Sequence, residues 1–292
     1  MEDLRYDAGA SYPVRSYDVE YRHEGHRAWL AHVWQPEALV GDGPFPALIE
    51  VHGGAWEKFD RMRDADIIEP LAASGLVIVA VDFHSSHEAP YPASIADINY
   101  ATRWLKANAE RFNASSEQIG GLGISSGGHQ LLLSAMRPHD SRYNSIPLPD
   151  SPDHDAGLAY LLTGWVPIDP LNRYLNALEQ SDKELLDATL RYFLDEEGMR
   201  DGNPQLILER GESVETPPVL LVQGANDKFI MPGVPERFVQ SYAQAGGLIE
   251  LAKYPGEPHA FMRHPSANTD RALALMKSFI ARCLSEESGA RK

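Results

Sequence analysis

Short apolar runs recur along the chain and alternate with segments in which apolar residues have helical spacing. Most of the runs are continuously apolar, which is typical of strands buried on both faces of a sheet. Two early runs instead alternate apolar and polar residues around Glu24-Gly25, which predicts an antiparallel hairpin. The predicted strands cover residues 17–21, 28–33, 46–51, 76–83, 119–124, 158–166, 218–222 and 248–254.

The intervening segments predict amphipathic helices, because their apolar residues recur with the period of one helix face. In one of them Ser94 and Asp97 are expected to form a capping box at the start of the helix. Buried strands that alternate with helices predict an α/β fold, with a mostly parallel central sheet and helices on both faces. The predicted helices cover residues 65–74, 94–111, 130–136, 171–194 and 272–284.

The alternation is interrupted between residues 140 and 216, where prolines and glycines accumulate. Insertions at such a position often cover the crevice at the end of a sheet. We therefore expect residues 140–151 and 172–213 to form a lid or the walls of a pocket. The length of 292 residues fits a single domain, 1–292, that buries one substantial core.

The stretch Gly123-Ile124-Ser125-Ser126-Gly127 follows a predicted strand and precedes a predicted helix. This is the context in which Gly-x-Ser-x-Gly forms a nucleophile elbow, where small neighbours permit a strained turn. Ser125 is therefore the candidate nucleophile. A glycine-rich turn between a strand and a helix is the alternative interpretation.

A second glycine-containing loop, His52-Gly53-Gly54-Ala55-Trp56, directly follows the predicted strand 46–51. In serine hydrolases with an α/β sheet, such a loop supplies backbone N–H groups to a developing oxyanion. Gly53, Gly54 and Ala55 are therefore candidate oxyanion-hole residues. A tight turn braced by His52 is the alternative.

Candidates for the acid and the base follow later strands, in the order Ser, Asp, His that α/β-hydrolases use. Asp227 comes after the strand 218–222, and His259 comes after the strand 248–254. Carboxyl ends of parallel strands meet at one edge of a sheet, so these side chains are expected to converge. Asp169 and Glu257 stay open as alternative partners of the histidine.

These motifs together resemble the esterase/lipase group of the α/β-hydrolase superfamily, in the branch of BD-FAE-like esterases and kynurenine formamidases. The resemblance implies a triad of Ser125, Asp227 and His259. It also implies an oxyanion hole that includes the Ser126 N–H beside the 53–55 loop. The chain departs from hormone-sensitive-lipase-like members at Ala55, where they have a third glycine, and at Ile124, where they have an aspartate.

The resemblance implies a serine hydrolase that cleaves small neutral carboxylic esters through an acyl-enzyme. An amidase or arylformamidase with the same triad is the first alternative, and a non-catalytic ligand-binding scaffold is the second. Trp56 and Trp165 are candidate aromatic walls of the substrate pocket, although packing in the core explains them equally well.

The composition of the chain excludes several classes of binding partner. The formal net charge of −16 argues against binding to nucleic acid or to anionic membranes. The single cysteine, Cys283, excludes an internal disulfide, and the histidines show no zinc-ligand spacing. We expect no metal or cofactor. We expect a cytoplasmic location, because the sequence has no long apolar run and residues 1–5 do not resemble a basic and apolar leader. A homodimer stays open as an alternative to a monomer.

Overall fold

The computed structural model describes residues 6–37, 43–151 and 153–290. Residues 1–5, on which the expected absence of a leader depends, lie outside the described residues. The strands are β1 (Val14–Glu24), β2 (Arg27–Pro36), β3 (Phe45–Val51), β4 (Val77–Val81), β5 (Ala114–Ile124), β6 (Leu161–Gly164), β7 (Val219–Gly224) and β8 (Ile249–Tyr254). The helices are α1 (Ala65–Ala72), α2 (Ala93–Asn108), α3 (Ser126–Met136), α4 (Pro170–Gln180), α5 (Lys183–Phe193), α6 (Glu196–Asp201), α7 (Pro204–Glu209), α8 (Val234–Gln244) and α9 (Ala267–Ala290).

The strands form one eight-stranded sheet in the order β1-β2-β4-β3-β5-β6-β7-β8. The first two strands pair as an antiparallel hairpin, and β2 is also antiparallel to β4. From β4 to β8 every neighbouring pair is parallel. The predicted hairpin and the mostly parallel sheet are both confirmed.

Helices cover both faces of the sheet because successive residues of each central strand point to opposite sides. Ile49 of β3 belongs to the core under α2, α3 and α8, whereas its neighbour Leu48 belongs to the core under α1 and α9. Both side chains are fully buried. This two-sided burial explains why the central strands read as continuous apolar runs in the sequence.

The predicted helix 171–194 is in fact two helices, α4 and α5. Ser181 between them has the left-handed φ of 55°, and the side chain of Asp182 accepts a hydrogen bond from the Leu185 N–H. A left-handed residue followed by an N-cap ends one helix and begins the next. Apolar spacing continues across the break, so periodicity alone did not reveal it.

The predicted capping box at Ser94 and Asp97 is wrong, because both residues lie inside α2, which begins at Ala93. Both side chains are buried and form tertiary contacts instead. The Ser94 hydroxyl lies 2.9 Å from the hydroxyl of Tyr192, and Asp97 pairs with Arg22 at 2.7 Å.

The two predicted insertions lie in different places. Residues 140–151 pack onto the body of the domain, where the buried Tyr143 hydroxyl lies 2.7 Å from the hydroxyl of Tyr91. Residues 172–213 hold most of α4 and all of α5, α6 and α7. No helix among the described residues combines the length and apolar character that crossing a membrane requires.

Candidate active site

Ser125 occupies the sharp turn between β5 and α3. Its backbone is strained, with φ 52° and ψ −124°. The glycines on either side of Ser125 allow β5 and α3 to approach each other very closely. A Cβ added at Gly127 would lie 2.1 Å from the Val51 carbonyl oxygen, and one at Gly123 would lie 2.7 Å from the Gly128 Cα. Strain of this kind persists only where the surrounding structure enforces it, so the turn has the geometry of a nucleophile elbow.

His259 and Asp227 complete a chain of side chains that begins at Ser125. The Ser125 Oγ lies 3.2 Å from the His259 Nε2, and the His259 Nδ1 lies 2.8 Å from the Asp227 Oδ2. Asp227 also accepts hydrogen bonds from the Gln223 side chain at 3.0 Å and from the Phe229 N–H at 2.8 Å. An anionic carboxylate at the Nδ1 favours the tautomer whose Nε2 accepts a proton from the serine.

The environment of Asp227 keeps its carboxyl ionised. Burial alone would raise the pKa of Asp227, but the hydrogen bond and charge of His259, with the donors Phe229 and Gln223, hold that pKa below its ordinary value. The carboxylate therefore remains a hydrogen-bond acceptor throughout the neutral range.

The two alternative acids have other partners. Asp169 caps α4 and accepts a hydrogen bond from the Asn203 side chain at 2.9 Å. Glu257 accepts a hydrogen bond from the Asn268 side chain at 2.7 Å. Asp227 is the carboxylate that contacts the His259 ring.

The loop after β3 has the left-handed backbone that its glycines permit. Gly54 has φ 143°, and Ala55 adopts φ 55° despite its Cβ. The Gly53 N–H donates to the Asp64 Oδ2 at 3.3 Å and is therefore already engaged. Within the described residues, the N–H groups of Gly54, Ala55 and Ser126 have no intramolecular acceptor. These three groups are free to face a negatively charged oxygen near Ser125.

Replacing Gly54 by alanine is expected to lower kcat by about 10²- to 10³-fold, the effect of losing one oxyanion donor. The added Cβ would lie 2.0 Å from the Lys58 carbonyl oxygen, so the loop must move. The matched control is Gly246→Ala, which also has a positive φ (90°) but meets no atom within 4 Å. It should lose only about 1 kcal/mol of stability. Wild-type kcat in Gly54→Ala would contradict this assignment.

A buried acidic pair lies behind this loop. Asp64 binds Gly53 and forms an ion pair with Arg263, a residue just beyond His259 in the sequence. Glu50, in β3, is fully buried beside it. Burial and the neighbouring Asp64 raise the pKa of Glu50, and burial also raises the pKa of Asp64. Asp64 thus connects the two loops that flank Ser125. An acidic residue within the apolar run 46–51 was the only sequence signal for the acidic pair.

A cleft of about 320 Å³ opens beside Ser125 and His259. Its apolar lining includes Phe59, Leu185 and Phe229. Leu185 belongs to α5. Pockets that bind small molecules are typically apolar, with a few placed polar groups.

The two candidate tryptophans have different surroundings. Trp165 is fully buried and lines the cleft, with its ring centroid 6.1 Å from that of His259. Trp56 does not line the cleft. It is 2% exposed, stacks on Tyr192 at 5.2 Å, and donates from its Nε1 to the His129 Nδ1 at 3.3 Å. The position of Trp56 at the end of the loop 52–56 did not predict the direction of its indole ring.

His129 is completely buried beneath the elbow, on α3. Its Nδ1 accepts the hydrogen bond from Trp56, so its Nε2–H donates to the Gly202 carbonyl at 2.8 Å. This arrangement requires a neutral imidazole. Burial lowers the pKa of His129 from 6.5 to about 4.

We expect His129 to make the protein less stable as the pH falls below about 6.5. In that range the unfolded chain binds a proton at His129 that the folded chain does not bind until about pH 4. Between pH 6.5 and 4 this group lowers the free energy of unfolding by about 3 kcal/mol. Urea unfolding at pH 7.5 and pH 5 should show a smaller loss in His129→Gln than in wild type. Equal losses would contradict this account.

A mostly parallel sheet with a strained serine at a strand–helix turn, and with Asp227 and His259 after later strands, defines the α/β-hydrolase fold. The chain belongs to the BD-FAE family, whose sequence model matches residues 35–241. The resemblance to the esterase/lipase group is thereby confirmed.

Two relatives in Mycobacterium tuberculosis are similar over most of the chain. One is the probable carboxylic ester hydrolase LipM, 25% identical over 270 residues, which are 90% of this chain and 60% of LipM. The other is the esterase LipC, 27% identical over 80% of this chain and 57% of LipC. The chain thus spans about 60% of the length of these curated relatives.

Solved structures share the same architecture. The inhibited esterase B from Lactobacillus rhamnosis has a TM-score of 0.79 with 16% identity, over 97% of this chain and 92% of that one. A truncated carbohydrate esterase from gut microbiota has a TM-score of 0.74 with 20% identity, over 96% of this chain and all of that one. At these identities the likeness concerns the fold.

Proposed function

We propose that this chain is a carboxylesterase that hydrolyses small esters through an acyl-enzyme on Ser125. One observation carries the proposal. The Ser125 Oγ lies 3.2 Å from the His259 Nε2, and the His259 Nδ1 lies 2.8 Å from the Asp227 Oδ2. All of this lies beside a cleft that is open to a substrate. These are hydrogen-bond distances for a nucleophile and its base, and for that base and the group that orients it. A non-catalytic scaffold has no need of such a hydrogen-bonded triad.

The proposed reaction has two stages. The Ser125 oxygen bonds to the acyl carbon while the His259 Nε2 takes the serine proton, and that proton then goes to the departing alcohol. Water next attacks the acyl carbon, His259 takes one of its protons, and the carboxylic acid is released as that proton returns to Ser125. Asp227 stabilises the imidazolium in both stages. The N–H groups of Gly54, Ala55 and Ser126 stabilise the oxyanion.

The dimensions of the cleft favour small substrates. Its volume of about 320 Å³ lies at the lower end of the range of about 300 to 1,000 Å³ that is typical of small-molecule pockets. We assign Trp165 to its floor and residues 172–213 to its wall, because Leu185 and Ala188 line it. The relatives named as esterases support an ester rather than an amide.

Other features stay predictions. An arylformamidase would use the same three side chains, but no observation of the site or of the relatives favours it. A homodimer and a cytoplasmic location are further proposals. The location is supported by the single cysteine in the sequence.

Hydrolysis of p-nitrophenyl esters from acetate to decanoate, measured beside N-formylkynurenine, tests the proposed function. We expect turnover of the shorter esters, with a decline as the acyl chain outgrows the cleft, and no turnover of N-formylkynurenine. Preferred cleavage of N-formylkynurenine would replace the esterase assignment with the formamidase one. No turnover of any substrate by folded protein would contradict both.

A further inference from the structure

One cationic side chain in the wall of the cleft has no hydrogen-bond or ion-pair partner among the described residues. Arg173, on α4, lines the cleft, and its Nε and Nη1 are inaccessible to solvent and have no hydrogen-bond partner among the described residues. Of the other three Lys and Arg side chains of the cleft, two are paired, Lys58 with Glu184 at 2.7 Å and Arg263 with Asp64. The third, Arg63, lies over Phe59, and its Nε is buried and also has no hydrogen-bond partner in the described part of the chain. Arg173, a half-buried residue, therefore lines the space proposed for the substrate, and two of its guanidinium nitrogens lack an acceptor within the described residues.

Nearby acids do not neutralise Arg173. Asp227 and Asp182 act on it electrostatically, but neither lies within the ion-pairing distance of 4.0 Å. Asp227 is bound to His259, and Asp182 caps α5. The face of Trp56, 5.2 Å from the guanidinium carbon, provides a cation–π contact but no hydrogen-bond acceptor.

Arg173 nevertheless keeps its charge. Burial lowers the pKa of Arg173 to about 10, which leaves the guanidinium protonated at neutral pH. A buried donor without a partner is costly, and a charged one more so. The cost is recovered if a ligand in the cleft supplies the acceptor. A planar carboxylate matches the fork of guanidinium N–H groups.

We propose that Arg173 binds a carboxylate of the substrate, so that the preferred substrates are esters that carry an anionic group close to the scissile bond. This inference rests on the proposed esterase function and narrows its substrate class. The carboxylate belongs either to the acyl part or to the alcohol part of the ester. In both cases the expected preference over a neutral substrate of equal shape is about 10- to 100-fold in kcat/KM, the strength of a hydrogen bond to a charged group.

Two pairs of substrates measure this preference. For the acyl part, mono-p-nitrophenyl glutarate is compared with p-nitrophenyl 5-methylhexanoate, in which an isopropyl group replaces the carboxylate. For the alcohol part, 4-acetoxybenzoate is compared with 4-isopropylphenyl acetate. Wild type should prefer the charged member of at least one pair. The ratio within a pair does not depend on the fraction of folded enzyme. No preference for the charged member of either pair would overturn the inference.

Substitutions test whether Arg173 is the residue responsible for the preference for the charged substrate. Arg173→Gln should abolish the preference, whereas Arg173→Lys should retain part of it. Lys58→Met is the matched control, since it removes a paired cation of the same cleft and should keep the preference. Arg63→Gln removes another cation of the cleft, one whose guanidinium lies over Phe59. Loss of the preference in Arg63→Gln but not in Arg173→Gln would overturn the assignment.

Binding of products tests the inference without turnover. In Ser125→Ala, glutarate or 4-hydroxybenzoate should raise the thermal unfolding midpoint, and the additional change Arg173→Gln should remove the shift. If no ester is hydrolysed but this Arg173-dependent shift is present, the esterase function fails and the anion site stands. If neither anion shifts the midpoint of Ser125→Ala, or if the shift survives in the double variant, the inference is overturned.

Discussion

Replacing Ser125 by alanine is expected to lower kcat for p-nitrophenyl esters by about 10⁵- to 10⁶-fold, because the acyl-enzyme loses the oxygen to which the acyl group bonds. The substitution removes one partly buried hydroxyl, and an alanine tolerates the turn about as well as the serine does. The far-ultraviolet circular dichroism and the unfolding midpoint should therefore stay close to wild type.

Ser134→Ala is the matched control for Ser125→Ala. Ser134 is buried on α3, the helix that follows Ser125, and it does not line the cleft. Its replacement should leave kcat within a few-fold of wild type. If Ser125→Ala retained more than a few per cent of the activity at a similar midpoint, another residue would have to be the nucleophile.

Replacing Asp227 by asparagine is expected to lower kcat by about 10⁴-fold. The amide keeps the shape of the carboxylate, but it can present an N–H to His259 and so favour the tautomer whose Nε2 carries a proton. That tautomer cannot accept the proton of Ser125. The measurement is kcat for p-nitrophenyl butyrate at pH 8, with KM determined in the same experiment.

Glu257→Gln controls for the loss of a carboxylate near His259. Glu257 lies two residues from the histidine in sequence but bonds to Asn268 instead. Its replacement should leave kcat almost unchanged. A large loss in Glu257→Gln together with a small loss in Asp227→Asn would exchange the roles of the two acids.

Much of the fold was predictable, because burial on both faces of the sheet leaves a strong pattern. Every strand of the sheet overlaps a predicted strand, since continuous apolar runs bounded by turn residues have few other solutions. The helices were less predictable than the strands, because their ends depend on the conformation of single residues. The break between α4 and α5 depends on the left-handed conformation of Ser181, and α6, α7 and α8 were not predicted at all.

The motifs predicted that three side chains converge, and the structure brings them within hydrogen-bond distance, but the motifs did not predict the direction of other side chains nearby. Ser125, Asp227 and His259 were candidates because they follow strands whose ends meet at one edge. The positions of Trp56 and Arg173 depend on how the loop after β3 and the helix α4 turn in space. Arg173 in particular lies in a helix with ordinary amphipathic spacing, so no pattern distinguished it from a solvated arginine.

The most direct test of the central claim is intact-protein mass spectrometry after incubation with a fluorophosphonate, followed by peptide mapping. The fluorophosphonate reacts with a serine activated by a neighbouring base. We predict one adduct per chain, located on Ser125, and none on Ser125→Ala under the same conditions. Folded wild-type protein without an adduct on Ser125, or an equal adduct on Ser125→Ala, would contradict the account.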